Sequence, residues 1–194
     1  MRRDDIRRYV PDPAGGLTGF DASVREAMRD APRDTGPRTL VAVTAATVAS
    51  AALGSLATTP GAEWYRRLDL PPWQPPPAAF PVVWTALYAD IIAASTATLT
   101  GLNREGRADE AAAYRRALAV NLVLNTAWSA IFWRGRRLGL AAAEAAVLAA
   151  SSADLARRAG ARSPARGRAL APYAVWCAFA AVLSAEIARR NRPS

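Results

Sequence analysis

The stretch Trp64-Tyr65-Arg66-Arg67-Leu68-Asp69-Leu70-Pro71-Pro72-Trp73-Gln74-Pro75-Pro76-Pro77-Ala78-Ala79-Phe80-Pro81-Val82-Val83-Trp84-Thr85-Ala86-Leu87-Tyr88 decides how the chain is read. Five prolines fall between Pro71 and Pro77. Each lacks an N–H and has a fixed φ, so the stretch is neither helix nor central strand. It reads as an ordered, extended loop. It runs straight into an apolar segment, Phe80–Asn103. A stiff aromatic loop laid over the mouth of an apolar helix bundle suits the lid or wall of a site for a flat apolar ligand.

Outward from that loop the chain separates into uncharged blocks and arginine-rich gaps. Thr39–Ala62 has no charge in 24 residues, and Phe80–Asn103 carries only Asp90. Ala117–Trp133 is uncharged and extends back to Ala111 through Arg115 and Arg116. Leu138–Ala156 contains Glu144 and Asp154, and Ala169–Ala188 contains Glu186. A helix needs about 20 mostly apolar residues to cross a bilayer. The blocks lack the charged stripe, every three or four residues, of a soluble amphipathic helix. The expectation is an all-α membrane protein: a five-transmembrane-helix bundle over residues 38–194, with helices near 39–59, 80–102, 111–133, 138–157 and 169–188. The Pro/Trp-rich loop joins helices 1 and 2. Residues 1–37 read as a flexible charged tail, with Val24–Asp30 a candidate short helix.

The net charge of +9 comes entirely from arginine, since the chain has no lysine. The arginines sit at block ends, where they snorkel or meet lipid phosphates, so nucleic acid is not an expected partner. The N-terminal tail and the second and fourth gaps hold eight, four and five; the opposite side holds two, three and three. The positive-inside rule then places the N-terminus in the cytoplasm. Histidine is absent and Cys177 is the lone cysteine. That removes the usual metal ligands, the usual general base and any internal disulfide. No metal site and no obligatory cofactor is expected.

Helical periodicity sorts the remaining candidates. Trp84, Tyr88, Ile91 and Ser95 share one face; Asp90 points elsewhere and needs a partner at membrane depth. Asn121, Asn125, Trp128 and Phe132 form a second stripe, either structural glue or a hold for a polar ligand group. Tyr173, Trp176, Ala180, Leu183 and Ile187 form a third, and Pro172 either starts that helix or bends it. Glu144 is expected to pair with a loop-end arginine or the Asn stripe. Ala42, Ala46, Ser50 and Gly54 let two backbones approach closely, as an internal contact or the seam of a homodimer. The 157–168 gap, with Gly160, Pro164 and Gly167, reads as a solvated turn.

The order of residues 64–88 resembles the TspO/MBR family, the tryptophan-rich sensory proteins related to the translocator protein (peripheral benzodiazepine receptor). That family carries W-Y-x-x-L-x-K-P-x-W-x-P-P and then F-x-x-V-W-x-x-L-Y; only its lysine departs, as Leu70 here. Asn125, Trp128 and Ser129 match the family's Q-L-x-L-N-x-x-W-S, with Asn121 in place of Gln. Pro172, Tyr173, Trp176, Phe179 and Ala180 match its P-Y-x-x-W-x-x-F-A. No basic residue follows Tyr173 within five positions, so the family's cholesterol-recognition pattern is absent.

The resemblance implies a protein that binds tetrapyrroles (protoporphyrin IX, haem) and related aromatic ligands, as sensor, regulator or translocator. Light-dependent porphyrin breakdown is the alternative, with Trp84 and Trp176 as the reactive indoles. A third is a membrane interaction protein docking a partner through its Trp-rich loop. The expected ligand-binding residues are Tyr65, Trp73, Pro75, Trp84, Tyr88, Asn125, Trp128, Trp176 and Ala180, with Arg66 or Arg67 at the rim for propionates.

Overall fold

The computed structural model describes residues 36–58 and 62–192. The expectations for residues 1–35, including a helix at Val24–Asp30, lie outside them. The described residues form six helices and no strand: α1 Gly36–Thr58, α2 Ala62–Tyr65, α3 Ala79–Arg104, α4 Ala108–Ser129, α5 Leu138–Arg162 and α6 Pro164–Arg190. A π-turn, Ala130–Arg134, continues α4. Charges at some helix ends follow the helix dipole, although Arg107 and Arg137 stand at the N-caps of α4 and α5 and Arg166 lies in the first turn of α6. Asp109 and Glu110 open α4, while Arg104 closes α3 and Arg189 and Arg190 close α6.

α1, α3, α5 and α6 are long and apolar enough to cross a membrane. Their exposed side chains include Val41, Leu56, Val82, Val147 and Val182. α4 falls short of the same measure, so length and composition alone identify four spans where the block pattern suggested five. Two causes are visible. Arg115, Arg116, Asn121 and Asn125 lower its hydropathy, and the π-turn takes Ile131, Phe132 and Trp133 out of the α-helix proper. Gly135 permits that turn: its N–H donates to the Ala130 carbonyl at 2.9 Å, and a Cβ there would sit 2.8 Å from the Ile131 carbonyl oxygen.

Two further readings are corrected by packing. The 157–168 gap is not a solvated turn. α5 runs to Arg162 and Pro164 begins α6, leaving Ser163 alone between them. Pro suits that first turn, where its missing N–H costs nothing. A Cβ on Gly167 would lie 2.7 Å from Gly160 Cα, so the glycines pack the two helices at backbone contact. Pro172 then falls inside α6 rather than starting it.

The small-residue stripe on α1 splits in two. Ser50 donates to the Leu122 carbonyl of α4 at 3.0 Å and lies 2.9 Å from Thr126 Oγ1. A Cβ on Gly54 would meet Ser129 Oγ at 3.2 Å. This half of the stripe is an internal contact. Ala42 and Ala46, nearer the start of α1, remain exposed.

Candidate ligand-binding site

The middle of the bundle is stitched by a chain of side-chain hydrogen bonds. Tyr88 on α3 donates its hydroxyl to Asn125 Oδ1 on α4 at 2.9 Å. Asn125 Nδ2 donates to the Tyr173 hydroxyl on α6 at 3.4 Å. Tyr173 donates to Asn121 Oδ1 at 2.8 Å. Asn121 Nδ2 reaches Ser152 Oγ on α5 at 3.0 Å, and Ser152 donates to the Leu148 carbonyl at 2.8 Å. Tyr173, Asn121 and Ser152 are fully buried. Four helices thus satisfy one another's polar groups, as a low-dielectric interior requires.

An aromatic bed lies beside this chain. Trp84 stacks at a tilt on Tyr88, centroids 5.4 Å apart, and meets Tyr173 edge-on at 6.3 Å. Trp176 meets Phe80 at 5.9 Å and Phe179 at 5.3 Å. Among the described residues no ring contact joins Trp84 to Trp176; Trp84 packs on Tyr88 and Tyr173, and Trp176 on Phe80 and Phe179. A second group gathers around the buried Phe132. Trp128 stacks on it at 5.0 Å, and Trp64, Tyr65 and Trp133 surround it edge-on or nearby.

The segment over these rings is not one extended loop. It opens with the four-residue helix α2, turns at its end with Arg67 N–H to the Trp64 carbonyl at 3.0 Å, and turns twice more among the prolines, Gln74 N–H to the Pro71 carbonyl at 3.0 Å and Ala79 N–H to Pro76 at 2.9 Å. Proline removes donors, so the few remaining N–H groups define the bends. Pro71 is buried and Pro75 half-buried, while Trp73 leaves 46% of its surface exposed and sets one edge on Phe179 at 5.9 Å. The linker is anchored to the end of α6. Asn191 Oδ1 accepts the Asp69 N–H and Asn191 Nδ2 donates to the Asp69 carbonyl, both at 2.9 Å. Arg190 adds an ion pair to Asp69 at 3.5 Å. Burial pushes the Tyr65 phenol above its ordinary range, partly opposed by a hydrogen bond from Gln74. Arg67 pairs loosely with Glu63, and Arg66 is exposed.

At this same end several buried polar atoms have no partner: Trp128 Nε1, Gln74 Oε1 and both carboxylate oxygens of Glu144. The arginine or Asn partner expected for Glu144 is therefore not there. Asp90 is half-buried and makes no hydrogen bond or ion pair among the described residues. Ala180 is half-buried on the α6 face that carries Trp176.

The match of the whole helical region decides the family: the TspO/MBR family model covers residues 41–190. The chain belongs to the TspO/MBR family. It is 32% identical over 132 residues to the translocator protein of Sus scrofa, covering 68% of this chain and 77% of the relative. It is 33% identical over 146 residues to the tryptophan-rich sensory protein of Cereibacter sphaeroides, covering 73% and 87%. It is 39% identical over 101 residues to protein CrtK of Rhodobacter capsulatus, covering 52% and 60%. Together with the four apolar helices, membership makes the chain an integral membrane protein.

Within this TspO/MBR chain, Trp84, Tyr88 and Asn125 come together through ring and hydrogen-bond contacts, joined by Tyr173. Trp73 joins Trp176 through Phe179; Tyr65 joins Trp128 through Phe132. The bridging residues Phe80, Tyr173, Phe179, Phe132 and Gln74 were missed as site residues. Helical spacing held the signal for four of them, Phe132 already lying on the Trp128 stripe. Phe80 precedes Trp84 by one turn, and Tyr173 and Phe179 flank Trp176 at three residues. Asn191 and Gln74 had no such signal, because their partners are distant in sequence or irregular in structure.

Proposed function

We propose that α4 also crosses the bilayer, giving a five-span bundle, and that the bundle binds tetrapyrroles such as protoporphyrin IX or haem on its aromatic bed. The 22 residues of α4 and five of the π-turn, at about 1.5 Å each, exceed the roughly 30 Å of hydrocarbon. Asn121 and Asn125 are buried while Val120 and Val123 are exposed, the pattern of a helix with lipid on one side. The macrocycle lies against Trp84 and Trp176 with the Pro/Trp linker as roof. Its propionates meet Arg66 and Arg67 at the rim.

One observation carries this reading. Buried polar atoms without partners are rare in folded proteins and ask for an explanation. Trp128 Nε1 and the Gln74 and Glu144 oxygens supply a donor and acceptors, among rings suited to a flat guest. The relatives' names, a translocator and a sensory protein, support carriage or sensing as the role. The arginine distribution supports a cytoplasmic N-terminus, which a membrane-impermeant label on a cysteine placed in residues 66–69 tests from each side.

Titration of the detergent-solubilised chain with protoporphyrin IX, followed by Trp quenching in the dark and then under light, tests the binding reading. Saturable quenching weakened by Trp84→Phe or Trp176→Phe supports it. Absence of quenching defeats it and leaves partner docking. Pigment loss under light that vanishes in those variants assigns the indoles to porphyrin breakdown instead.

A further inference from the structure

The far end of the bundle, away from the linker, holds a groove that the tetrapyrrole reading does not use. Beyond their contact at Ser50, toward the start of α1, residues of α1, α4 and the end of α3 line it. The groove encloses about 360 Å³ and is lined mostly by apolar side chains, among them Ala42, Ala46, Leu99 and Leu122. Its polar lining includes Arg38, Asn103 and Arg115. Both arginines are exposed, and neither makes an ion pair among the described residues. No acid lines the groove.

We propose that this groove is a binding site for a phospholipid with an anionic headgroup. Arg38 and Arg115 hold the phosphate, and one acyl chain lies along Ala42, Ala46 and Leu122. The geometry fits an amphiphile: cations at the mouth, where a helix start, a helix end and a snorkelling arginine meet, and a greasy channel running inward. The chemistry also separates this groove from its neighbour. A second groove of about 310 Å³, between α4 and α5, contains Arg116 and Arg158. Its wall carries Asp154, which binds Arg157 at 2.6 Å and Arg158 at 2.5 Å. There Arg158 is already paired and a phosphate would face a carboxylate. The adjacent Arg115 and Arg116 thus divide between the grooves, and only the first groove is lined by arginines without an acid.

Native mass spectrometry of the full chain, released from mixed phosphatidylglycerol and phosphatidylcholine micelles, tests this. Phosphatidylglycerol should be retained selectively. Arg38→Gln with Arg115→Gln should weaken that retention about thirtyfold, the effect of two arginines at an anionic surface. Arg116→Gln should leave it within about twofold. Ala46→Phe, which fills the channel with both arginines intact, should also reduce retention. Unchanged thermal unfolding confirms that each variant folds. Equal retention of both lipids, an unaffected double variant, an unaffected Ala46→Phe, or displacement by millimolar inorganic phosphate would each overturn the proposal.

Discussion

Asn125 and Trp128 stand three residues apart on α4, face the same interior, and are treated differently by it. The Asn125 amide uses both ends, accepting from Tyr88 and donating to Tyr173. The Trp128 indole N–H, one turn on, donates to nothing although it is buried. Around Asn121 the side chains of α3, α4, α5 and α6 satisfy one another, although Thr96 Oγ1 and Thr100 Oγ1 farther along α3 are also buried without a partner. Toward the linker it offers a donor and acceptors with no protein partner. A polar residue at membrane depth is thus glue where its neighbours complete it. Where they do not, it is the contact proposed above for a ligand.

The strongest way to break this contrast is Asn121→Leu. It leaves the Tyr173 hydroxyl proton without its acceptor and costs about 2 kcal/mol, read as a lower unfolding midpoint in detergent, with porphyrin affinity little changed. An unchanged midpoint would remove the structural role given to the mid-bundle chain. Trp128→Phe should behave in the opposite way. The ring still stacks on Phe132, and losing an unpartnered N–H leaves stability equal or slightly higher. Protoporphyrin affinity should fall about tenfold, the loss of one hydrogen bond. Asn191→Ala should cost about 1 kcal/mol locally. Its readout is faster iodide quenching of Trp73 and quicker proteolysis of the linker, with the bundle midpoint held.

The smallest effect concerns Tyr65. Its folded phenol ionises above the ordinary 10.0, so its contribution is complete below that pH and is lost as pH rises toward the elevated value. Alkaline titration followed by linker fluorescence should show a loosening step above pH 10 that Tyr65→Phe abolishes.

The long helices were legible because a lipid-facing helix needs an unbroken apolar run, and such a run is visible without knowing its neighbours. The third block shows the limit. Asn121 and Asn125 mark it as inward-facing, yet the same residues depress its hydropathy, and the π-turn at Ala130–Arg134 has no periodic signature. The end of α5 was missed because Arg157, Arg158 and Arg162 read as a gap, although they extend the helix beyond the apolar block. The linker was recognised from its prolines. Its two bends and its anchorage at Asn191 depend on which N–H groups survive between prolines and on a partner 122 positions away.

By composition and order alone, this protein is determined as a membrane bundle of its family. Apolar length and a proline-punctuated aromatic motif are properties of the chain read along one dimension. Tertiary structure decided how the α1 stripe is spent, packed on α4 at Ser50 and Gly54 and open at Ala42 and Ala46. It also decided which buried amides and indoles find partners. Hydrogen-bond satisfaction and close backbone approach are set by which helix faces meet, at what crossing and in what register, and that information exists only once the helices have assembled.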